Sequence, residues 1–426
     1  MFFLCAYSFS VWGILSSRGL RTIDVSVVMM GIVYGAFAPI IYHNVHYVAV
    51  GRDIIIEWAD YTFIHTAFSF ISLIFLVFGW SLYSQNVSKR VRTFFYNARV
   101  SSLNKAFYVM FTVSLASIYL YTLDYGGFIG YFQFNRLIRS ELVESFERSR
   151  FSFLWPFSGF AIISCFGFWG LLLSGMKKKS IIFGFILSFI LSMWVLFASA
   201  GRVNIVTFFM VLFLSILIKM RIQALYWVLI VSIGPIVGIV VLFNISNLLS
   251  IKGAEGLVEY IVRYVSFPFV SFFAHLKSWN FYYFYEVLGW FLFLLPSSIT
   301  SDWLYTAADI NTIAIEGARK GEGGVTGSIP TDMLTYGLMQ FHIVGVMVFS
   351  ALLGWILRVL SEIAGSFRFP GLSSVFLSYV IIKMGVFLLF GSQPSLLIRA
   401  HFPVVVILLG VTVWQSLKSI FIRRNV

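Results

Sequence analysis

The sequence predicts an all-α polytopic integral membrane protein, a single transmembrane domain over 1–426 with about eleven helices and one large outer loop. Three observations carry that expectation. Hydrophobic residues fill 60% of the 426 positions, while charged residues fill only 11%, well below the roughly 25% of a soluble domain. Mean hydropathy is +0.92. Long apolar runs recur between short basic segments. A soluble fold has too little interior to hide so much apolar surface. These features exclude a soluble enzyme, a disordered chain and a disulfide scaffold. A membrane barrel would show strands of alternating polarity instead of unbroken apolar runs.

A hydrocarbon core of about 30 Å needs roughly 20 apolar residues per helix. Candidate spans lie near 1–17, 23–42, 61–83, 106–124, 153–175, 181–199, 203–218, 225–243, 337–357, 372–391 and 402–417. No basic residue precedes the first apolar run, and Arg18 and Arg21 follow it. It is therefore expected to be a retained span, not a signal peptide.

Loop charge predicts the orientation. One alternate set comprises Arg18/Arg21, 84–105, Lys177–Lys179, Lys219/Arg221, 358–371 and the C-terminal tail. It holds 17 of the 30 Lys+Arg. Among the acids it holds Glu362, with Asp24 at a span edge. The opposite loops hold 12 Lys+Arg and about 15 acids. The positive-inside rule puts the first set in the cytoplasm. The net charge of +13 then reflects orientation, and no nucleic-acid partner is implied. Cys5 and Cys165 lie in apolar stretches and carry no metal or disulfide pattern.

Two outer loops are long, 125–150 and 244–336, and long loops in compact proteins are usually functional. The first carries Arg136, Arg139, Arg148 and Arg150 with Glu141, Glu144 and Glu147. Within the second, 257–276 and 287–299 are apolar and aromatic, as in interfacial or re-entrant segments. Gly317, Gly321, Gly323, Gly324 and Gly327 then surround Arg319, Lys320 and Glu322. Such a run can present backbone N–H groups to an anion, or serve as a linker. Arg202 follows Ser199-Ala200-Gly201 at the outer face, and Arg399 and His401 follow Gly391-Ser392-Gln393-Pro394-Ser395 there. Guanidinium groups bind phosphate through a planar fork, or anchor a helix end at the interface. Lys383 is the one cation deep in an expected span, which makes it a functional candidate. His43 and His46 lack further ligands, so no metal site is predicted. No Walker loop, Asp-x-Asp pair or Gly-x-Ser-x-Gly elbow is present, and no cofactor is implied.

The aromatic-rich spans, the Ser-Ala-Gly-Arg turn and the late outer loop leaving through Gly323-Gly324-Val325-Thr326-Gly327-Ser328-Ile329-Pro330-Thr331-Asp332 resemble the O-antigen polymerases of the Wzy type. That resemblance implies a glycosyltransferase in the bacterial inner membrane with its active site facing the periplasm. Its substrate would be undecaprenyl-pyrophosphate-linked oligosaccharide, with the lipid bilayer around it and room for a chain-length regulator protein. It implies arginines at the pyrophosphate, with Arg202, Arg136, Arg139, Arg319 and Arg399 as candidates beside Lys383, Gly323 and Gly324. A base would take the acceptor proton, with Asp332, Glu322 and His401 as candidates. An O-antigen ligase and a flippase of lipid-linked oligosaccharide are the alternative readings. The ligase is disfavoured because His43-Asn44 is followed by Ile54 where that pattern has glycine. The flippase is disfavoured because mid-membrane charge is sparse and no internal repeat is visible.

Overall fold

The computed structural model describes residues 22–30, 34, 58–82, 100–140, 149–199, 202–220, 268–276, 281–294, 303–325, 327–386 and 394. The described residues are helical with no strand. Five helices are long and apolar enough to cross a membrane: Phe63–Ser81, Val100–Leu123, Ser152–Leu173, Lys179–Ala198 and Met333–Ser366. Two shorter apolar helices, Asn204–Met220 and Pro370–Met384, accompany them. The spans expected at 1–17, 225–243 and 402–417 lie outside the described residues, and that at 23–42 lies only partly within them.

In chain order the elements are α1 (Thr22–Met30), α2 (Trp58–Ser81), α3 (Val100–Leu123) and α4 (Gly127–Ser140). A 3-10 turn (Ser152–Gly159) leads into α5 (Phe160–Leu173), followed by α6 (Lys179–Ala198) and α7 (Arg202–Met220). Helix α8 covers 268–276. Short turns at Tyr285–Leu288 and Trp290–Leu294 precede α9 (Ala307–Glu316). The continuous helical segment Met333–Ser366 is two helices, α10 (333–340) and α11 (343–366), divided by non-helical Phe341 and His342. Helix α12 (Pro370–Tyr379) continues as a π-helix through Val380–Val386.

Hydrogen bonds align the helix ends. The Gly371 N–H donates to Ser174 Oγ at 3.0 Å, and the Lys219 ammonium donates to the Leu173 carbonyl. Thr22 and Ser361 share a hydroxyl bond of 2.6 Å, and the Arg358 guanidinium lies 5.1 Å from the Trp80 ring centre. The ends of α2, α5, α7 and α11 and the starts of α1, α6 and α12 thus meet at one end of the bundle. The segments beyond them are the lysine- and arginine-rich ones, so this is the basic end. The 303–332 loop lies at the opposite end, the loop end.

Helix packing relies on small residues, since lipid gives helices no hydrophobic reason to associate. A Cβ on Gly79 would lie 1.9 Å from the Ala351 carbonyl oxygen, and one on Gly354 would lie 2.0 Å from that of Leu76. Helices α2 and α11 therefore touch backbone to backbone. Elsewhere the seams are aromatic. Tyr131 packs edge to face on Tyr121 and Tyr125, and Trp155 lies tilted against Tyr121 and Tyr131, where α3, α4 and the 3-10 turn meet. The stretch 125–150 accordingly begins as a helix. Its far side is tied down by Asp124, which accepts from Ser149 Oγ at 2.9 Å and Arg150 N at 3.0 Å.

Candidate functional site

The loop end is organised by a reversal. Phe341 has φ −153°, ψ 39° and His342 has φ 54°, ψ −136°. A Cβ on Gly345 would lie 2.1 Å from the Gly337 carbonyl oxygen. In a straight helix residues eight apart are separated by about 12 Å. The chain therefore doubles back, and α10 packs antiparallel on the first turns of α11. The span expected from Gly337 begins instead at 343, which leaves α11 long enough to cross about 30 Å. The run is apolar on both sides of the turn and Gln340 and His342 interrupt it only singly, so composition alone does not reveal it.

Because α10 descends, its N-terminus lies deep in the protein. Ser72 Oγ is 2.8 Å from Ser350 Oγ and 3.9 Å from Met333 Sδ, which sets Met333 level with Ser350. That is about 12 Å along α11 from the reversal. Asp332, at 0% exposure, caps α10 there. Its Oδ1 accepts from Thr335 N at 3.0 Å, and its Oδ2 accepts from Leu334 N at 3.3 Å and from Tyr34 Oη at 2.6 Å. The carboxylate thus satisfies N–H groups that the helix start leaves unpaired. The Tyr34 ring meets His65 of α2 edge-on at 5.4 Å, and Phe269 and Phe272 of α8 surround that imidazole.

Above Asp332 the loop is fastened. Thr306 and Asp309 form a reciprocal capping box at the start of α9, and buried Glu286 accepts the Ala307 N–H at 2.6 Å. Asn311 Nδ2 donates to Ser271 Oγ, Ile329 O and Pro330 O at 2.9, 3.1 and 3.2 Å. The Ile329 N–H donates to Thr312 Oγ1 at 2.8 Å. Since Asn311 Nδ2 is the donor, its Oδ1 accepts from His275 Nε2 at 3.2 Å. Burial lowers the His275 pKa to about 4, against a smaller upward pull from Asn311. Desolvation also pushes the Tyr285 phenol up, helped by Glu286, Asp309 and Tyr282. That phenol donates to the Tyr305 carbonyl.

The glycine-rich run is a series of closed turns. Gly321 N donates to Val325 O at 2.8 Å, and Val325 N to Glu322 O at 2.9 Å. Gly317, Gly321, Gly323 and Gly324 take φ of 75°, 90°, 55° and 82°, where a side chain is strained. Glu322 is exposed, and its Oε2 is 3.4 Å from the Arg319 N–H. The Arg319 guanidinium lies 4.2 Å from the Tyr305 ring centre, a cation–π contact that holds it over the loop.

Lys383, in the π-helical turn, donates to Asn204 Oδ1 at 3.3 Å. Asn204 sits in the first turn of α7, whose first residue is Arg202. Lys383 is thereby placed at the helix start whose first residue, 181 positions earlier in sequence, is Arg202. The Arg202 side chain and those of Arg136 and Arg139 on α4 lie outside the described set, as do Arg399 and His401 altogether. Among the described residues no three His, Cys, Asp or Glu side chains gather as metal ligands.

The chain matches no family model, no curated protein and no solved structure. The site therefore stands on its own geometry. Several of its members carry no local sequence signal. Tyr34 reaches Asp332 across 298 positions. His65, His275, Glu286 and Asn311 sit in ordinary-looking apolar or mixed segments. A capping pattern could have found Thr306 and Asp309, which stand three apart before an apolar run. His342 could have drawn notice only as a polar residue in a hydrophobic stretch.

Proposed function

We propose that the chain is a membrane glycosyltransferase that polymerises lipid-linked O-antigen repeat units at the periplasmic face of the inner membrane. It moves the growing glycan from undecaprenyl pyrophosphate onto a newly arrived lipid-linked unit. The observation that carries the reading is the meeting of Lys383 with Asn204 at the helix start that bears Arg202. A cation so placed suits a pyrophosphate, whose charge grows as it leaves, and an arginine at the same helix start can add a planar fork. In the transfer, an acceptor hydroxyl oxygen bonds to the anomeric carbon. The bond from that carbon to the pyrophosphate oxygen breaks, and the electron pair leaves with the phosphate. Arg319, held on Tyr305 above the loop, adds a guanidinium that can meet a second phosphate oxygen.

The acceptor proton needs a base. Exposed Glu322 is better placed for this than Asp332, whose oxygens are occupied by the cap and by Tyr34 and are sealed from solvent. Gly323 and Gly324, next to Glu322, let the turn approach a substrate without side-chain bulk.

Deleting the gene and reading the glycans on lipid A tests the proposal. Polymerase loss leaves single repeat units attached. Absence of any attached glycan would overturn it in favour of a ligase or a flippase. In the restored strain Arg202→Ala should abolish extension at normal membrane level. Arg202→Lys should recover little of it, because ammonium lacks the planar fork.

A further inference from the structure

Among the described residues, three that are not glycine have left-handed φ: Tyr283 at 50°, Phe284 at 54° and His342 at 54°. All three lie at one place. The turn at 283–284 sits on the reversal at 341–342, fastened by Tyr282 N to Met339 O at 3.0 Å and Phe284 N to Gln340 Oε1 at 2.6 Å. The rings of Phe281, Tyr283, Phe284 and Phe341 form one cluster. Phe341 is 4.9 Å from Tyr283, 6.0 Å from Phe284 and stacked on Phe281 at 6.1 Å. Tyr283 is nevertheless 58% exposed and Phe341 39% exposed. The same turn leads through Tyr285 to the Tyr305 carbonyl, and Tyr305 carries Arg319.

We propose that Tyr283 and Phe341 form a ledge on which a pyranose ring of the glycan stacks, beside the guanidinium of Arg319; this rests on the polymerase reading above. A sugar ring offers an apolar face of C–H bonds and a rim of hydroxyls. It matches a flat aromatic surface carrying one phenol at its edge, with few polar groups to orient it. The competing occupant is the lipid interface, where Tyr and Trp gather at headgroup level. Aromatics serving that purpose need only a regular helix, as Phe63 shows on α2 at 79% exposure. They do not need three unfavourable backbone conformations, interlocked by hydrogen bonds, to fix how two rings meet. Backbone strain held by surrounding structure marks positions where geometry matters.

The test exchanges shape at constant hydrophobicity. Tyr283→Leu and Phe341→Leu keep the apolar bulk a lipid interface wants and remove the flat face. Tyr283→Trp and Phe341→Tyr keep the face. Each Leu variant should lower chain extension about tenfold at unchanged membrane level, the scale of one aromatic contact. Each aromatic variant should stay within about twofold. Wild-type extension in both Leu variants, or equal loss in the aromatic ones, overturns the proposal. Saturation-transfer NMR on the purified full chain gives a reading independent of turnover. Its probe is the repeat-unit oligosaccharide released from the host polysaccharide. Transfer to ring C–H protons should be seen with wild type and lost in Tyr283→Leu. Its absence with wild type overturns the ledge. Unchanged glycan ladders in the deletion strain would instead sink the polymerase reading, leaving the ledge to be decided by the NMR result.

Discussion

Removing the Tyr34 hydroxyl tests whether Asp332 holds the fold or serves the chemistry. Tyr34→Phe changes almost no volume, and Tyr34 is only 1% exposed, so packing is preserved. What disappears is a 2.6 Å bond to a carboxylate at 0% exposure. Among the described residues, Oδ2 then keeps the longer contact from Leu334 N at 3.3 Å. Leaving a buried acceptor without its donor costs about 1–3 kcal/mol, so a loss near 2 kcal/mol is expected. Asp332→Asn should cost less, about 1 kcal/mol. Asparagine caps helices as well as aspartate does, and its amide can donate to a Tyr34 hydroxyl turned to accept. Asp332→Asn in the Tyr34→Phe background loses that relief. The two changes should therefore couple by about 1 kcal/mol or more in a double-mutant cycle.

The assay is apparent melting in detergent micelles at one fixed scan rate, because membrane proteins of this size rarely unfold reversibly. Activity per folded molecule is measured alongside. On the structural reading Asp332→Asn keeps extension within a few-fold. Loss of a general base would cost roughly 10²-fold or more. Additive melting shifts would refute the cap argument. So would an unshifted Tyr34→Phe protein, or a 10²-fold loss in a normally stable Asp332→Asn protein.

Three further outcomes follow from the packing. Gly354→Ala sets a Cβ 2.0 Å from the Leu76 carbonyl oxygen and should destabilise by about 2 kcal/mol or more. Gly365→Ala, on the same helix with nothing within 4 Å, should be neutral in the same melting series. Equal effects would contradict the close α2–α11 crossing. His342→Gly relieves a left-handed φ of 54°. Relief of about 1–3 kcal/mol outweighs the extra unfolded-state entropy of about 0.5–1 kcal/mol, so apparent melting should rise, and a fall would show that the imidazole holds the turn. The loop should also be acid-sensitive through His275. Its folded pKa of about 4 lies below the ordinary 6.5, so its neutral form stabilises the fold fully above pH 6.5. That contribution, up to roughly 3 kcal/mol, is lost as pH falls toward 4. His275→Gln should flatten the pH dependence of protease resistance at 303–332, and an unchanged profile would count against it.

Fold class is legible in composition because lipid imposes a crude rule of long apolar helices. Both ends of α6 and α7 and the end of α5 fall near their expected positions for that reason, while the first residues of the span expected from 153 form a 3-10 turn before α5 begins at Phe160. The reversal at 341–342 is not legible. It is encoded by two close backbone approaches, at Gly337 and Gly345, and by a carbonyl and an amide that partners 56 or more positions away must satisfy. Hydropathy sees there an apolar run interrupted by Gln340 and His342, with no sign that the chain doubles back. The candidate site divides in the same way. The cations Arg319 and Lys383 stand out in sequence because charge is rare in this chain. Tyr34, Asn311 and Glu286 do not, because a buried polar group is meaningful only once its partner is known.

The short helix α10 explains why so many polar groups gather beneath the loop. A helix that starts inside the protein brings unpaired N–H groups with it, and no water reaches them. Asp332 answers two of these. Its Oδ2 also takes a donor from elsewhere, which Tyr34 supplies. The chain must also descend from the loop to reach that start, carrying the carbonyls of Ile329 and Pro330 with it. Asn311 donates to both, and its own oxygen in turn takes the neutral His275 Nε2–H. Each bond is required by the one before it. A substitution anywhere along this series should therefore loosen the loop that carries Arg319 and Glu322, even where the altered residue is far from any substrate.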